Sequence, residues 1–210
     1  MWIAEIWRYP VKSMRGERLD RATLGPGGVD GDRQLFVRLP NGAIATARRY
    51  PRLLTLSGST GPDGEALVDG RRWNSAEIGE RIEAVTIPGA VLALADESRF
   101  DILPLLVATD GAIAAFGYDG RRLRPNVVIG GVEGLAERQW EGRVLTIGPV
   151  RIQLADLRGR CVMTTVDPDT NAQDPEVLRS IVRRFDGRVA LNAEVVSGGA
   201  IAVDDLVDVL

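Results

Sequence analysis

The feature that most limits what this chain can fold into is its rhythm: short runs of alternating apolar and polar residues, broken at close intervals by glycine and proline. In Trp2-Ile3-Ala4-Glu5-Ile6-Trp7, and again at 19–24 and 34–39, the alternation matches a strand, whose successive side chains point to opposite faces. Pro26-Gly27-Gly28 and Pro40-Asn41-Gly42 read as turns between such strands. Further strand candidates lie at 53–57, 66–68 and 83–87. A buried strand is expected at 103–109 and an apolar run at 127–129. A hairpin is expected from 144–147 and 150–154 around Gly148-Pro149, with closing strands near 189–196 and 200–203.

Helical signals are few. Asp110 is placed to cap a short helix running through Phe116 and stopped by Gly117. One amphipathic helix is well marked: Asp174 as cap, Pro175 at its first position, Leu178, Ile181, Val182 and Phe185 on one face, and Gly187 as stop. Its Arg179, Arg183 and Arg184 belong to the solvated face. The expected class is therefore mainly β with a few helices (α+β), a β-barrel or sandwich core rather than a doubly wound sheet. At 210 residues the chain can bury a sizeable core, and one compact unit is expected, with no internal repeat.

Charge and composition exclude several roles. A net charge of −3 gives no overall attraction for nucleic acid or for an anionic membrane. No apolar run approaches the roughly 20 residues of a membrane span, and Glu5 and Arg8 interrupt the start where a signal peptide needs an apolar stretch. A cytoplasmic protein is expected. The chain has no histidine, which removes Ser-His-Asp and Cys-His catalysis, histidine-based zinc sites and the usual haem ligand. It has one cysteine, Cys161, so an internal disulfide or a Cys₄ metal site is impossible.

Cys161 lies in Arg158-Gly159-Arg160-Cys161-Val162-Met163-Thr164-Thr165, between guanidinium groups and beside a glycine that permits close approach to the backbone. Positive neighbours favour the thiolate, the form that binds metals and attacks as a nucleophile. Taken alone, the segment also fits an inert cysteine serving as a small apolar residue. Lys12 is the sole lysine against 25 arginines, which singles it out, because an ammonium and a guanidinium fork serve different sites; codon bias explains the arginine excess equally well. A single thiolate holds a metal only if the metal brings its other ligands, as molybdenum does in its pterin cofactor, whose dithiolene supplies two sulfurs.

The segments RYPVKSMRGE at the start, GDR at 31–33, RPNVVI at 124–129 and GRCVMTTVDPDT at 159–170 occur in that order. Together they resemble the MOSC-domain family, and among its members the amidoxime-reducing components and their bacterial counterparts. The resemblance spans essentially the whole chain. It implies a β-barrel MOSC core at 96–210, preceded at 1–95 by a β-rich, barrel-like segment.

The resemblance also implies a molybdenum–pterin cofactor with Cys161 as ligand to the metal and catalytic centre, and Arg160 and Gly159 beside it. Lys12 and Ser13 would hold pterin or phosphate groups, and Arg33, Arg124 and Asn126 would complete that cradle. Thr109 and Asp110 fall near a further cofactor-contacting segment. Gly159 stands where such relatives often have serine. Asp167 and Asp169 organise an Asp-Pro-Asp turn.

The implied activity is oxygen removal from small N-hydroxylated compounds such as amidoximes or hydroxylamines. The electrons would come from a separate haem protein, or from an iron–sulfur protein with a flavin reductase, because the chain has neither cysteines for a cluster nor a dinucleotide fingerprint. The alternative is a non-catalytic carrier that delivers the cofactor or transfers sulfur through a Cys161 persulfide. A pyridoxal Schiff base on Lys12 is a distant third, since nothing around it suggests the large α/β scaffold that chemistry normally uses.

Overall fold

The structure, a computed structural model, describes residues 1–95 and 100–210. In chain order its strands are β1 (Trp2–Arg8), β2 (Glu17–Leu19), β3 (Arg21–Gly25), β4 (Gly28–Val29), β5 (Leu35–Arg38), β6 (Ile44–Ala45), β7 (Gly58–Thr60), β8 (Ala66–Val68), β9 (Arg71–Arg72) and β10 (Val91–Leu94). They continue as β11 (Leu105–Thr109), β12 (Val127–Gly130), β13 (Val144–Ile147), β14 (Val150–Gly159), β15 (Arg188–Ser197), β16 (Gly199–Ala202) and β17 (Asp208–Val209). The α-helices are α1 (Ala76–Val85), α2 (Asp110–Phe116) and α3 (Pro175–Phe185). The boundary expected between residues 95 and 96 falls against 96–99, outside the described residues.

The main sheet has eight strands in the order β17-β13-β14-β15-β11-β12-β1-β2, with β11 and β12 parallel and the other pairs antiparallel. The chain just before β17 bonds back to the start of β1: Ile3 N donates to Asp205 O at 2.9 Å and Asp204 N donates to Ile3 O at 2.9 Å. Those bonds set the chain at one end of the order against the amino-terminal half of β1, which lies beyond the stretch that β2 pairs with, and so curl the sheet round toward a barrel. The barrel interior is filled by side chains such as Ile3, Ile6, Val107, Val127, Ile129, Leu145, Ile152, Leu154 and Leu191. Strands β1 and β2, from the start of the chain, are thus part of the same sheet as the carboxy-terminal strands.

Strict alternation along β1 would put Ile3 and Ile6 on opposite faces, yet both are fully buried. A bulge reconciles the two: Ile3 pairs with Ile129 and Glu5 with Val128, so Ala4 is the extra residue and the face switches after it. At the end of β12, a Cβ on Gly130 would lie 2.6 Å from the Trp2 indole and one on Gly131 2.4 Å from it, so the Trp2 ring requires glycine at both.

A second core lies beneath three-stranded sheets β10-β5-β6 and β7-β8-β9, where Val11, Met14, Leu35, Val37, Leu53, Val68, Ile78 and Ile82 pack together. Two strands expected here are helical instead. Residues 83–85 finish α1, which Ser75 initiates by accepting from Ile78 N, and whose Ile78 and Ile82, one turn apart, are fully buried. The 53–57 segment begins in a 3-10 helix, Pro51–Thr55, because Pro51 presets a helical φ at its first position. The run expected at 19–24 is divided: β2 pairs with β1, whereas β3 pairs with β16 and β4.

Helix α3 has the expected cap, Asp174 Oδ1 accepting from Glu176 N at 2.9 Å. Its buried face is Val177, Ser180, Ile181 and Phe185, and Val182, expected in the core, is 57% exposed. In α2 the cap is Thr109, whose hydroxyl accepts from Ala112 N, rather than Asp110. Gly117 ends α2 with φ 76, as expected of a left-handed stop.

Candidate active site

Cys161 stands where β14 ends and the 3-10 helix Val162–Thr165 begins. The register of β14 against β15 shifts between Leu157 and Gly159, and Arg160 N then bonds to Gly187 O at 2.9 Å, which fixes the chain immediately before the thiol. After it, Arg122 clamps the turn by donating to Thr164 O at 3.3 Å, to Thr165 O at 2.9 Å and to Asp167 Oδ2 at 2.8 Å. Asp167 also accepts from Thr170 N and Asp169 N, bonds that hold its pKa at about 2 and close the Asp-Pro-Asp turn.

Cys161 opens into a cleft of about 840 Å³, measured out to its mouth, to which the turn after β1, the loops at 33, 46–48 and 100–106, and the segments 122–124 and 158–164 all contribute. Of the expected residues, the structure brings Lys12, Ser13, Arg33, Arg124, Gly159, Arg160 and Cys161 to its walls. Three of these, Ser13 (φ 69), Arg33 (φ 50) and Arg124 (φ 57), are non-glycine residues in the left-handed region, a conformation that costs free energy and clusters at ligand sites.

Asn126, Thr109 and Asp110 are not among the lining residues; each holds the scaffold. Asn126 is completely buried, with Oδ1 accepting from Leu106 N at 3.1 Å and Nδ2 donating to Trp7 O at 3.3 Å, so it locks the strands that carry Arg124. Thr109 caps α2, and Asp110 accepts from Gly131 N at 2.7 Å and Val132 N at 3.0 Å, tying down the turn after β12.

The electrostatics of the cleft are lopsided. Lys12, Arg33, Arg48, Arg122, Arg124, Arg158 and Arg160 line it, and among the described residues Asp101 is the one lining carboxylate. Arg33 is paired with the buried Asp32, and Arg122 with Asp167. Asp101 is shared by Lys12 at 2.8 Å, Arg48 at 2.9 Å and Arg158 at 3.8 Å. Arg124 and Arg160 make no ion pair among the described residues: Arg124 donates to Met14 O at 2.6 Å, and Arg160 to Leu123 O at 2.7 Å. Arg124 also stacks 4.2 Å from the centre of the Tyr9 ring, with Arg33 on the same ring at 5.6 Å.

The crowding of cations shows in their proton affinities. Burial, reinforced by the Arg158 charge, brings the Arg160 pKa down to about 10. Burial also lowers those of Arg124 and Arg158, with Arg33 adding repulsion to both. Arg48 moves the other way, chiefly through its interaction with the nearby Cys161 sulfur, and Asp101 adds to that rise. Such a site is preorganised for an anion, since an incoming negative charge relieves repulsion that the fold already tolerates. The Nε of Arg160 is buried without a partner, a donor left over beside the thiol.

Sequence reasoning missed Arg48, Asp101, Thr46 and Arg122 as site residues. Nothing separates Arg48 or Arg122 from the other arginines by spacing, and Asp101 sits in no motif.

The fold and this cleft define the class. Residues 1–80 match the family described as MOSC N-terminal beta barrel domain and residues 108–208 the MOSC domain, so the chain belongs to the MOSC-domain proteins. Among individual relatives, it is 26% identical to mitochondrial amidoxime reducing component 2 of Macaca fascicularis over 82% of this chain and 68% of that one. It is likewise 26% identical to mitochondrial amidoxime-reducing component 1 of Homo sapiens, over 80% of this chain and 67% of that one. The solved YUAD protein from Bacillus subtilis shares the fold with a TM-score of 0.53 and 14% identity, covering 100% of this chain and 98% of that one.

Proposed function

We propose that this protein is a molybdenum-cofactor oxidoreductase that reduces small N-hydroxylated compounds, with Cys161 as the protein's ligand to the metal. The observation that carries this reading is the placement of the only thiol in a cation-lined cleft where Arg124 and Arg160 have no carboxylate partner among the described residues. The residues present suit the group: a soft thiolate for the metal, a partnerless Arg160 Nε beside it, and a surplus of positive charge for a phosphate-bearing pterin. Its chemical direction follows the amidoxime-reducing relatives. When bound, the cofactor supplies a redox-active metal able to remove oxygen from the substrate.

The chain's own residues have separate tasks. Lys12 and Ser13 would hold the phosphate of the cofactor, with Lys12 fixed in place by Asp101. Arg33 and Arg124, fixed against Tyr9, would contribute guanidinium donors to the pterin. Arg160 uses one nitrogen on Leu123 O and keeps Nε for the cofactor. Arg48, half exposed, lines the same cleft as Cys161 and offers a guanidinium donor to an incoming substrate oxygen. Thr109, Asp110 and Asn126 act one step back by holding the backbone under these groups.

The test is metal analysis of protein purified from a host that makes the cofactor, combined with benzamidoxime reduction driven by reduced viologen. Bound molybdenum with turnover supports the enzyme, bound molybdenum without turnover supports a cofactor carrier, and protein without molybdenum refutes both.

A further inference from the structure

We propose that a second cavity, separated from the Cys161 cleft by Arg122, Arg124 and Met163, is a binding site for a small aromatic carboxylate, with Arg15 receiving the carboxylate group. The inference goes beyond the function proposed above and does not depend on it. The cavity encloses about 640 Å³, measured out to its mouth, within the roughly 300–1,000 Å³ of small-molecule sites. It lies where the amino-terminal segment meets the Asp-Pro-Asp turn: Trp7, Arg15 and Ser57 come from the first, and Arg121, Val166 and Pro168 from around the second. Arg122, Arg124 and Met163 line both spaces and so form their shared wall.

The lining divides by chemistry. Its apolar part is Trp7, Tyr9, Leu54, Met163, Val166 and Pro168. The polar edges of the two aromatic rings are already engaged, Trp7 Nε1 donating to Glu5 Oε2 at 2.6 Å and the Tyr9 hydroxyl to Pro125 O at 3.1 Å, so what they offer an occupant is ring surface. Among the described residues the charged part is entirely cationic: Arg15, Arg121, Arg122 and Arg124 line the cavity and no carboxylate does.

The nearby carboxylates stand behind this wall and are already held. Arg121 binds Asp119 at 2.6 Å and Asp169 at 2.7 Å, Arg122 binds Asp167 at 2.8 Å, and Glu5 takes the Trp7 indole. Arg15 differs from Arg121 and Arg122. It donates through Nη2 to a backbone oxygen, Asp169 O, at 3.1 Å, and has no carboxylate partner among the described residues. The Nε of Arg15 is buried without an acceptor, and so is the Nε of Arg122, whose side chain is only 8% exposed. Unsatisfied buried donors are costly, and two of them on one cavity wall mark a wall that an acceptor completes. Selection for a carboxylate thus rests on which groups face the cavity rather than on a net local charge, and a guanidinium fork matches a carboxylate at two points. An aliphatic anion leaves the ring surface uncovered, and a neutral aromatic leaves Arg15 without a counter-charge.

The experiment titrates the full chain with sodium benzoate, followed by calorimetry and by the indole and backbone amide signals of isotope-labelled protein. Benzoate should bind with a Kd on the order of 1 mM or below, as so small a ligand allows, and should shift the Trp7 indole signal and the amides of 15–16, 57, 121–122 and 166. Arg15→Gln removes the charge and Ser57→Met fills the space; each should weaken binding at the Trp7 signal about tenfold, the scale of one charge-assisted hydrogen bond. Acetate and benzyl alcohol, which keep one half of the ligand each, should bind at least about tenfold more weakly than benzoate. Shifts confined to residues around Cys161, or unchanged affinity at the Trp7 signal in both variants, overturn the proposal. Benzyl alcohol binding as tightly as benzoate overturns the carboxylate assignment, and acetate doing so overturns the aromatic one. If Arg15→Gln does not fold, Ser57→Met and the two control ligands still decide the outcome.

Discussion

Lys12, the chain's sole lysine, forms a 2.8 Å ion pair with Asp101, and its side chain is only 12% exposed. The same carboxylate serves Arg48 and Arg158, so removing it leaves three cations facing one another. Burial acts to raise the Asp101 pKa, but the Lys12 hydrogen bond and the charges of Lys12, Arg48 and Arg158 outweigh it and lower the value overall. Asp101→Asn is expected to destabilise the cofactor-free protein at pH 7 by on the order of 1 kcal/mol after solvent screening. A depressed folded-state pKa means the stabilisation is complete above the ordinary carboxylate value near 4 and is lost as the pH falls from there through the lower folded-state value. Thermal unfolding should therefore separate wild type from variant at neutral pH and bring them together in acid; a difference that persists in acid contradicts this account.

Arg160→Lys separates charge from shape beside the thiol. The arginine anchors one nitrogen on Leu123 O and leaves Nε available, which an ammonium on a flexible stem cannot reproduce. Molybdenum occupancy is expected to fall while the far-ultraviolet circular dichroism spectrum stays that of wild type. Full occupancy in the lysine variant would show that bulk positive charge, which Arg158 also supplies, is sufficient.

Asp110 accepts the backbone amides of Gly131 and Val132, so Asp110→Ala should cost about 1 kcal/mol of stability, the net worth of such bonds where water can reach the freed donors. In the protein that remains folded, cofactor retention should match wild type. Loss of cofactor without loss of stability would return Asp110 to the cofactor's own contacts.

Gly159 has no atom within 4 Å of where a Cβ would stand, and its backbone is not left-handed. Gly159→Ser should thus be accepted with a stability change within about 0.5 kcal/mol. Its hydroxyl can add a contact at the cleft, so retention of cofactor during gel filtration should equal or exceed that of wild type. A marked fall in retention would mean that the open backbone itself is what the cofactor approaches.

The legible parts of this protein are those set by local pattern. The alternation in β1 and the Gly148-Pro149 hairpin between β13 and β14 were readable because side-chain period and turn chemistry are short-range. The helix α1 escaped notice because its core contribution is just Ile78 and Ile82, too sparse a stripe to outweigh the apolar look of 83–87. Val182 was misplaced because periodicity says which residues share a face but not how much of that face the rest of the fold covers.

In the site, Lys12, Arg33, Arg124 and Arg160 were found through motifs. Arg48 and Asp101 meet Cys161 and Lys12 only through tertiary packing, at sequence separations that no local pattern reports. Conversely, Asn126 and Asp110 stand in motifs yet hold backbone, because a segment that carries a site also needs residues to fix its shape.

The central claim is that Cys161 binds the metal, and the most direct measurement is the molybdenum content of Cys161→Ser beside wild type, purified from the same cofactor-producing host. A hydroxyl is a poor substitute for a soft thiolate. Wild type should carry about one molybdenum per chain, as a single-thiolate site implies, and the serine variant essentially none while unfolding at the wild-type temperature. Molybdenum retained undiminished in the folded serine variant would contradict the account.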